Sequence, residues 1–296
     1  MNAAALILLT LGLTAADNPE QINPLFRELR QIGVPLHDKV SVPLPAPTLA
    51  DRPDLKAQKA AIDLIAGKDY DPKDVLRPAV VAPFRYQVRD LESPDPNSRA
   101  FAVDVWFVAH GDLETITRKG FLDNLLKAGN KNAKVHILTE DELAKRKLEA
   151  KKDGPAEERY SHAVFTLLDD VQLRGTTHTV LSRTPDSLLV AARLDPRFTS
   201  DPDFPNQSRV IKVNNGQKVL GPARPYAGSG SYLKITRLSK EAAGRDDALF
   251  VEGHMVFVEP REWFGGTNQL RSKIGSLVQD QVRSFRAELN KQKPKK

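Results

Sequence analysis

The sequence predicts an α+β fold in which a largely antiparallel sheet is joined to one long C-terminal helix. Two patterns carry that expectation. After residue 158 the chain breaks into alternating apolar and polar runs separated by turn residues, the period of strands. It then ends on Leu270, Ile274, Leu277, Val278, Val282, Phe285 and Leu289, spaced 4, 3, 1, 4, 3 and 4, which is one continuous helical stripe. No internal repeat and no flexible linker divides the chain, so residues 54–292 read as one α+β domain. Residues 1–16 precede it as a signal peptide, 17–53 as a Pro-rich extension, and 293–296 follow as a basic tail.

The first segment is almost wholly apolar from Ala3 to Leu13, then Thr14-Ala15-Ala16 supplies the small residues that signal peptidase requires. The run is shorter than the roughly 20 residues a membrane-spanning helix needs. Asp17, Asn18 and Pro19 end it abruptly. The expectation is a secreted or periplasmic protein cleaved after Ala16 and not integral to the membrane thereafter. Its N-terminal positive charge comes from the amino group alone, because no Lys or Arg precedes the apolar run. The chain has no cysteine, which excludes disulfides, a thiolate nucleophile, Cys-ligated zinc and an acylated lipobox. Stability therefore rests on the core, for which about 280 residues suffice.

Between Asp17 and Pro53 seven prolines predict extended, irregular chain interrupted by one short helix. In that helix Asn23 caps, Pro24 starts, Leu25, Phe26, Leu29 and Ile32 form the stripe, and Gly33 stops it. A second helix is expected from Pro53 to Ala66. Phe84, Tyr86 and Val88 then alternate with Arg85, Gln87 and Arg89, and a Ser93–Ser98 turn leads into a strand from Arg99 to His110. Phe101, Val103, Val105 and Phe107 share one face of that strand, and Ala102, Asp104, Trp106 and Val108 the other, so it should be covered on both sides. Asp112 opens a helix running to about Ala128, and Val135 to Leu138 is extended. Thr139-Glu140-Asp141-Glu142 is a capping box starting a charged surface helix through about Lys152.

The later strands are expected at Arg159–Leu168, Val171–Ser182, Ser187–Asp195, Arg209–Val213, Ser231–Leu238 and Ala248–Glu259. Thr184-Pro185-Asp186 and Asn214-Asn215-Gly216 are hairpin signals, and Asp195 to Asn206 is a long loop. Leu233 and Ile235 alternate with Lys234 and Thr236, and Val251, Met255 and Phe257 with Glu252 and His254, a pattern that predicts one buried and one wet face.

This order of elements, with the Leu270–Leu289 helix at its end, resembles the helix-grip superfamily of START lipid-transfer domains and pollen-allergen-like proteins, over residues 54 to 292. The resemblance implies a curved antiparallel sheet wrapped around the C-terminal helix with an apolar cavity between them. It further implies a non-catalytic binder of a lipid or other apolar small molecule. The implied lining is Phe84, Tyr86 and Val88 from the first hairpin, Leu233, Ile235, Val251, Met255 and Phe257 from the last two strands, and Ile274, Leu277 and Phe285 from the helix. The same residues in the same pattern also fill an ordinary core. Asp104, inside an apolar strand, needs a partner, either as a structural hydrogen-bond acceptor or as the polar anchor of a ligand.

The formal charge of +6 is uneven, because the stretch from Arg271 on holds eight basic and two acidic residues and accounts for all of it. Arg283, Arg286, Lys291, Lys293, Lys295 and Lys296 define an alternative reading, an envelope interaction module docking on an anionic surface. Nucleic acid is not expected, since that end lacks interleaved aromatics. The six histidines are scattered, and Glu252 with His254 lacks a third ligand, so no metal site is implied. Gly228-Ser229-Gly230 reads as a flexible strand entry, Asp169-Asp170 and Asp201-Pro202-Asp203 as turns, and no catalytic set or cofactor is expected.

Overall fold

A computed structural model of the chain describes residues 18–37, 40–93, 95–117, 121, 133–151 and 155–291. The expected signal peptide, the tail lysines Lys293, Lys295 and Lys296, and most of the helix expected after Thr117 lie outside the described residues. The class is α+β as the sequence predicts, with a C-terminal helix lying against a large antiparallel sheet.

The sheet has eleven strands, all paired antiparallel. One half runs β3 (Phe84–Leu91), β4 (Ser98–His110), β13 (Ala248–Pro260), β12 (Ser229–Arg237) and β8 (Ser187–Leu194) in that spatial order. Next to β8 runs β7 (Val171–Arg183), whose far edge carries β6 (Ala156–Leu167) and then β5 (Lys134–Ile137). The start of β7 also pairs with β9 (Gln207–Asn214), to which β10 (Gln217–Leu220) and β11 (Arg224–Pro225) attach. Both hairpin signals hold. Asn215 and Gly216 adopt φ of 50° and 77° between paired Asn214 and Gln217, as a tight two-residue hairpin demands.

The long strand β4 is covered twice, as its two apolar faces require. On one side Phe107 and Ala109 pack with Val282, Phe285 and Leu289 of the C-terminal helix (Gln269–Lys291). Phe285 lies edge-on between Phe107 at 5.4 Å and Phe121 at 5.6 Å, and Leu270 anchors the other end of the helix among Val171, Tyr226 and Trp263. On the opposite side Ala100 and Ala102 meet the N-terminal segment, and Trp106 and Val108 meet α3 (Leu55–Ala66).

That N-terminal segment is the largest departure from expectation, because it is a strap packed on the sheet. It contains α1 (Pro19–Ile22), α2 (Pro24–Gln31) and a small hairpin of β1 (Val34–His37) and β2 (Val40–Val42). Asn23 is fully buried where α1 meets α2. Its Oδ1 accepts from Phe26 N at 2.9 Å, and its Nδ2 donates to Val180 O at 2.9 Å and Ser182 Oγ at 3.2 Å. Gly33 turns the chain at φ 97°, where a Cβ would come within 2.4 Å of the Val42 backbone. Prolines restrict local structure, yet the apolar residues between them, Leu25, Leu29, Leu44 and Leu49, are all buried. Gly228-Ser229-Gly230 is likewise packed, because a Cβ on Gly230 would meet Val34 at 2.6 Å.

Three shorter helices complete the early and middle chain, α4 (Pro72–Val75), α5 (Leu113–Thr117) and α6 (Glu140–Ala144). The capping box starts α6 as expected, but the helix is one turn long rather than reaching Lys152. Lys147 takes φ 56° and Leu148 N returns to Leu143 O at 3.0 Å, so that Leu143 and Leu148 can both pack against Tyr160 and Phe198. Arg146 then docks on the 195–206 loop through Asp201 (2.6 Å) and Asp203 (2.8 Å). A last short helix, α7 (Lys240–Ala243), precedes β13, and the C-terminal helix is therefore α8. Among the described residues no helix is long and apolar enough to cross a membrane.

Candidate functional site

The face of the sheet under α8 holds the residues that the resemblance implied, and they divide by burial. Ile235, Val251, Ile274 and Phe285 are core, at 0 to 5% exposed. Phe84, Val88, Leu233, Phe257 and Leu277 are half-buried, and Tyr86 (45%) and Met255 (37%) are exposed. The half-open positions fall in rows. Val105, Gly253, Leu233 and Val190 are register partners across β4, β13, β12 and β8, and all four are half-buried. The next row brings Met255 beside Ser231 and Ala192. Both ends of α8 are anchored, whereas Leu277 and Val278 in its middle are only half-buried. The Tyr86 ring stacks on Phe84 with centroids 6.0 Å apart, and its hydroxyl lies against Gly275, where a Cβ would sit 2.5 Å away. The result is an apolar face that the helix covers along β3 and β4 and leaves part-open toward β12 and β8.

Asp104 is on the other side of the sheet, which corrects its reading as a possible ligand anchor beneath the helix. Strand alternation puts it with Ala102 and Trp106 under the strap. His254 Nδ1 bonds its Oδ1 at 2.7 Å, and Arg89 approaches its Oδ2 at 3.2 Å. His254, paired opposite Asp104 in register, also meets Glu252 through Nε2 at 3.4 Å. Glu252 accepts from the strap's Thr48 N at 2.7 Å, and Trp106 Nε1 donates to Thr48 Oγ1 at 2.9 Å. Opposite Glu252, fully buried Lys234 reaches Glu20 of α1 and the Leu49 carbonyl.

The expected wet face of β12 and β13 is therefore buried as well. Glu252, His254 and Lys234 are 0 to 3% exposed because the strap covers them, with His254 set between Asp104 and Glu252 and Lys234 paired with Glu20 of the strap. Burial alone would lower the pKa of His254, but its hydrogen bonds and attraction to Asp104 and Glu252 outweigh that and raise it. Burial alone would raise that of Asp104, and His254 and Arg89 lower it. This network spends its donors and acceptors on itself and on the strap backbone, which fits a clamp. Among the described residues no group of three or more His, Cys, Asp or Glu side chains is placed to hold a metal ion. Sequence reasoning missed Lys234, Glu20 and Arg89, whose roles depend on strand pairing and on the strap.

The basic residues expected to meet an anionic surface also divide. Arg283 and Lys291 are exposed. Arg286 is 4% exposed and turned inward, with its guanidinium donating to the carbonyls of Val108, Val80, Ala82 and Pro83. The helical spacing explains this correction, since Arg286 stands four residues after Val282 and three before Leu289, both buried.

No family model matches the chain, and no curated protein matches it. Similar solved structures include the human StarD13 (DLC2) lipid transfer and protein localization domain, 8% identical over 69% of this chain and 89% of that one, with a TM-score of 0.37. Human STARD10 is 8% identical over 81% of this chain and 82% of its own, with a TM-score of 0.33. A conserved protein from Geobacillus kaustophilus is 10% identical over 64% and 95%, with a TM-score of 0.29.

Proposed function

We propose that the protein binds an apolar small molecule, such as a lipid, on the part-open face between α8 and the sheet. The observation that carries this is the row Val105, Gly253, Leu233 and Val190 with neighbouring Met255, which stay part-exposed although they lie on the face that α8 packs against. Apolar surface left open between well-packed ends is what an apolar ligand covers. A fluorescent fatty acid should bind saturably to the purified protein. Met255→Trp, which fills the face, should weaken that binding by at least about tenfold, or 1.4 kcal/mol, with little change in Tm. Absence of saturable binding, with no bound mass in native mass spectrometry of protein taken from its source, would sink the proposal.

Export belongs to the same reading. The apolar run of residues 3–13 and the small residues after it support cleavage after Ala16. Such cleavage would leave intact the first packing contacts of the fold, where buried Pro19 accepts from Ser182 Oγ at 2.8 Å and Glu20 pairs with Lys234. N-terminal sequencing of the mature protein should begin at Asp17, and an intact Met1 would overturn export by this route.

A further inference from the structure

Beside α8, where the helix meets the chain leading into β3, lies a recess of about 150 Å³. Residues 80–84 form one wall, Gln279, Val282, Arg283 and Arg286 of the helix form another, and Tyr70 stands at its edge. Among the described residues no carboxylate lines it. The space holds roughly five waters at about 30 Å³ each, which is too little for an acyl chain or a nucleotide and enough for one small polar group.

The charges here are unbalanced. Arg286 is almost fully buried, yet each of its four hydrogen bonds ends on a neutral carbonyl, at 2.9 Å for Val108, 3.2 Å for Val80, 2.5 Å for Ala82 and 3.0 Å for Pro83. The Phe107 ring, 5.4 Å away, is its other support. Neither Arg286 nor Arg283 forms an ion pair among the described residues. Burial alone pushes the Arg286 pKa down, to about 10. On the opposite face each buried charge of the strap-side network has an opposite charge beside it, and Arg286 differs from them in this. A guanidinium has five N–H groups, and the four carbonyls leave one of them unused. Arg283 lies one helical turn away on the same wall, exposed, and among the described residues its donors are available. The one free N–H of Arg286 and the whole guanidinium fork of Arg283, at a group-sized recess, match the oxygens of a phosphate, and Tyr70 and Gln279 add neutral donors.

We propose that this recess is an oxyanion site that takes a phosphate group, free or at the end of a phosphomonoester lipid, between Arg286 and Arg283. The site is separate from the apolar face, so either proposal can fail without the other. The test is titration of the mature protein with inorganic phosphate at constant ionic strength, followed by calorimetry and by Tm. Phosphate should bind saturably and raise Tm. Arg283→Ala, a change at an exposed side chain, should weaken it by at least about tenfold, the loss expected for one charge-assisted hydrogen bond. Gln279→Glu should abolish phosphate binding and raise Tm without phosphate, by supplying the missing negative charge. Co-sedimentation with phosphatidylcholine vesicles, with and without phosphatidate, separates the sources: phosphatidate-dependent binding lost in Arg283→Ala assigns a lipid headgroup, and phosphate binding without it assigns a free anion. A Tm response equal to that of sodium chloride, or unchanged phosphate affinity in both variants, overturns the proposal.

Discussion

His254→Leu should lower stability by about 3–5 kcal/mol, the range for breaking a buried ion pair by removing one partner. The histidine stands between Asp104 and Glu252, which are 5% and 0% exposed. Without it, two carboxylates face each other across a dry space, and only Arg89 and the strap amides remain to hold them. Leucine cannot donate to either, so the loss is not offset by its apolar volume. At roughly 2–4 °C per kcal/mol for a domain of this size, the variant should melt some 6–20 °C lower in calorimetry.

The same substitution isolates a pH dependence of stated sign. His254 has a raised pKa in the folded state, so its contribution is fully present below the unfolded value of about 6.5 and fades as pH rises through the folded value. Asp104, whose pKa is lowered, contributes above about 3.9 and loses its contribution as pH falls through the folded value. The difference in stability between wild type and His254→Leu should therefore be widest between about pH 4.5 and 6.5, and narrow at alkaline pH. His162 runs the other way. Burial pushes its pKa down to about 4, so its neutral form favours the fold above pH 6.5, and it cancels in the comparison. Equal differences at pH 5.5 and pH 9 would mean that His254 is neutral in the fold.

What the sequence made legible was local. The α8 stripe places Leu270, Ile274, Val282, Phe285 and Leu289 on one side whatever lies beneath, and all five are buried. Strand β4 announces its double cover because both alternating sets are apolar, and the Asn214–Gly216 turn needs only its own φ values. What stayed hidden was set by partners far along the chain. Lys234, Glu252 and His254 alternate with apolar neighbours and look wet, but the strap residues that bury them, Thr48, Leu49 and Glu20, stand about 185 to 215 positions away. The face that Asp104 occupies was readable from its alternation with Phe101 and Phe107. Which face the helix would take was not, because both are apolar enough to be covered. The part-open row under α8 lay beyond reach for a related reason. The part-exposure of Leu233 and the exposure of Met255 depend on where the helix sits relative to β12, and no periodicity records that.

The second large effect belongs to Arg286, where charge and helix periodicity disagree and periodicity decided the outcome. Arg286→Met keeps much of the apolar stem and the helix propensity while removing every donor, so the carbonyls of Val108, Val80, Ala82 and Pro83 lose their bonds. A buried polar group left unpaired costs about 1–3 kcal/mol. The Val80 and Pro83 groups can be reached by water from the recess, which leaves Val108 and Ala82 to carry most of the loss. The expected destabilisation is about 3 kcal/mol, or roughly 6–12 °C in Tm. Arg286→Lys should recover less than half of this, because an ammonium has three donors and lacks the planar fork that spans carbonyls on β4 and on the chain before β3. Hydrogen exchange should locate the damage. Amides of residues 282–289 in α8 should lose protection first, while those of β12 and β13 under the strap keep theirs, since the His254 network holds the opposite face without reference to the helix. Equal loss on both faces would instead mean that strap and helix fold as one cooperative unit.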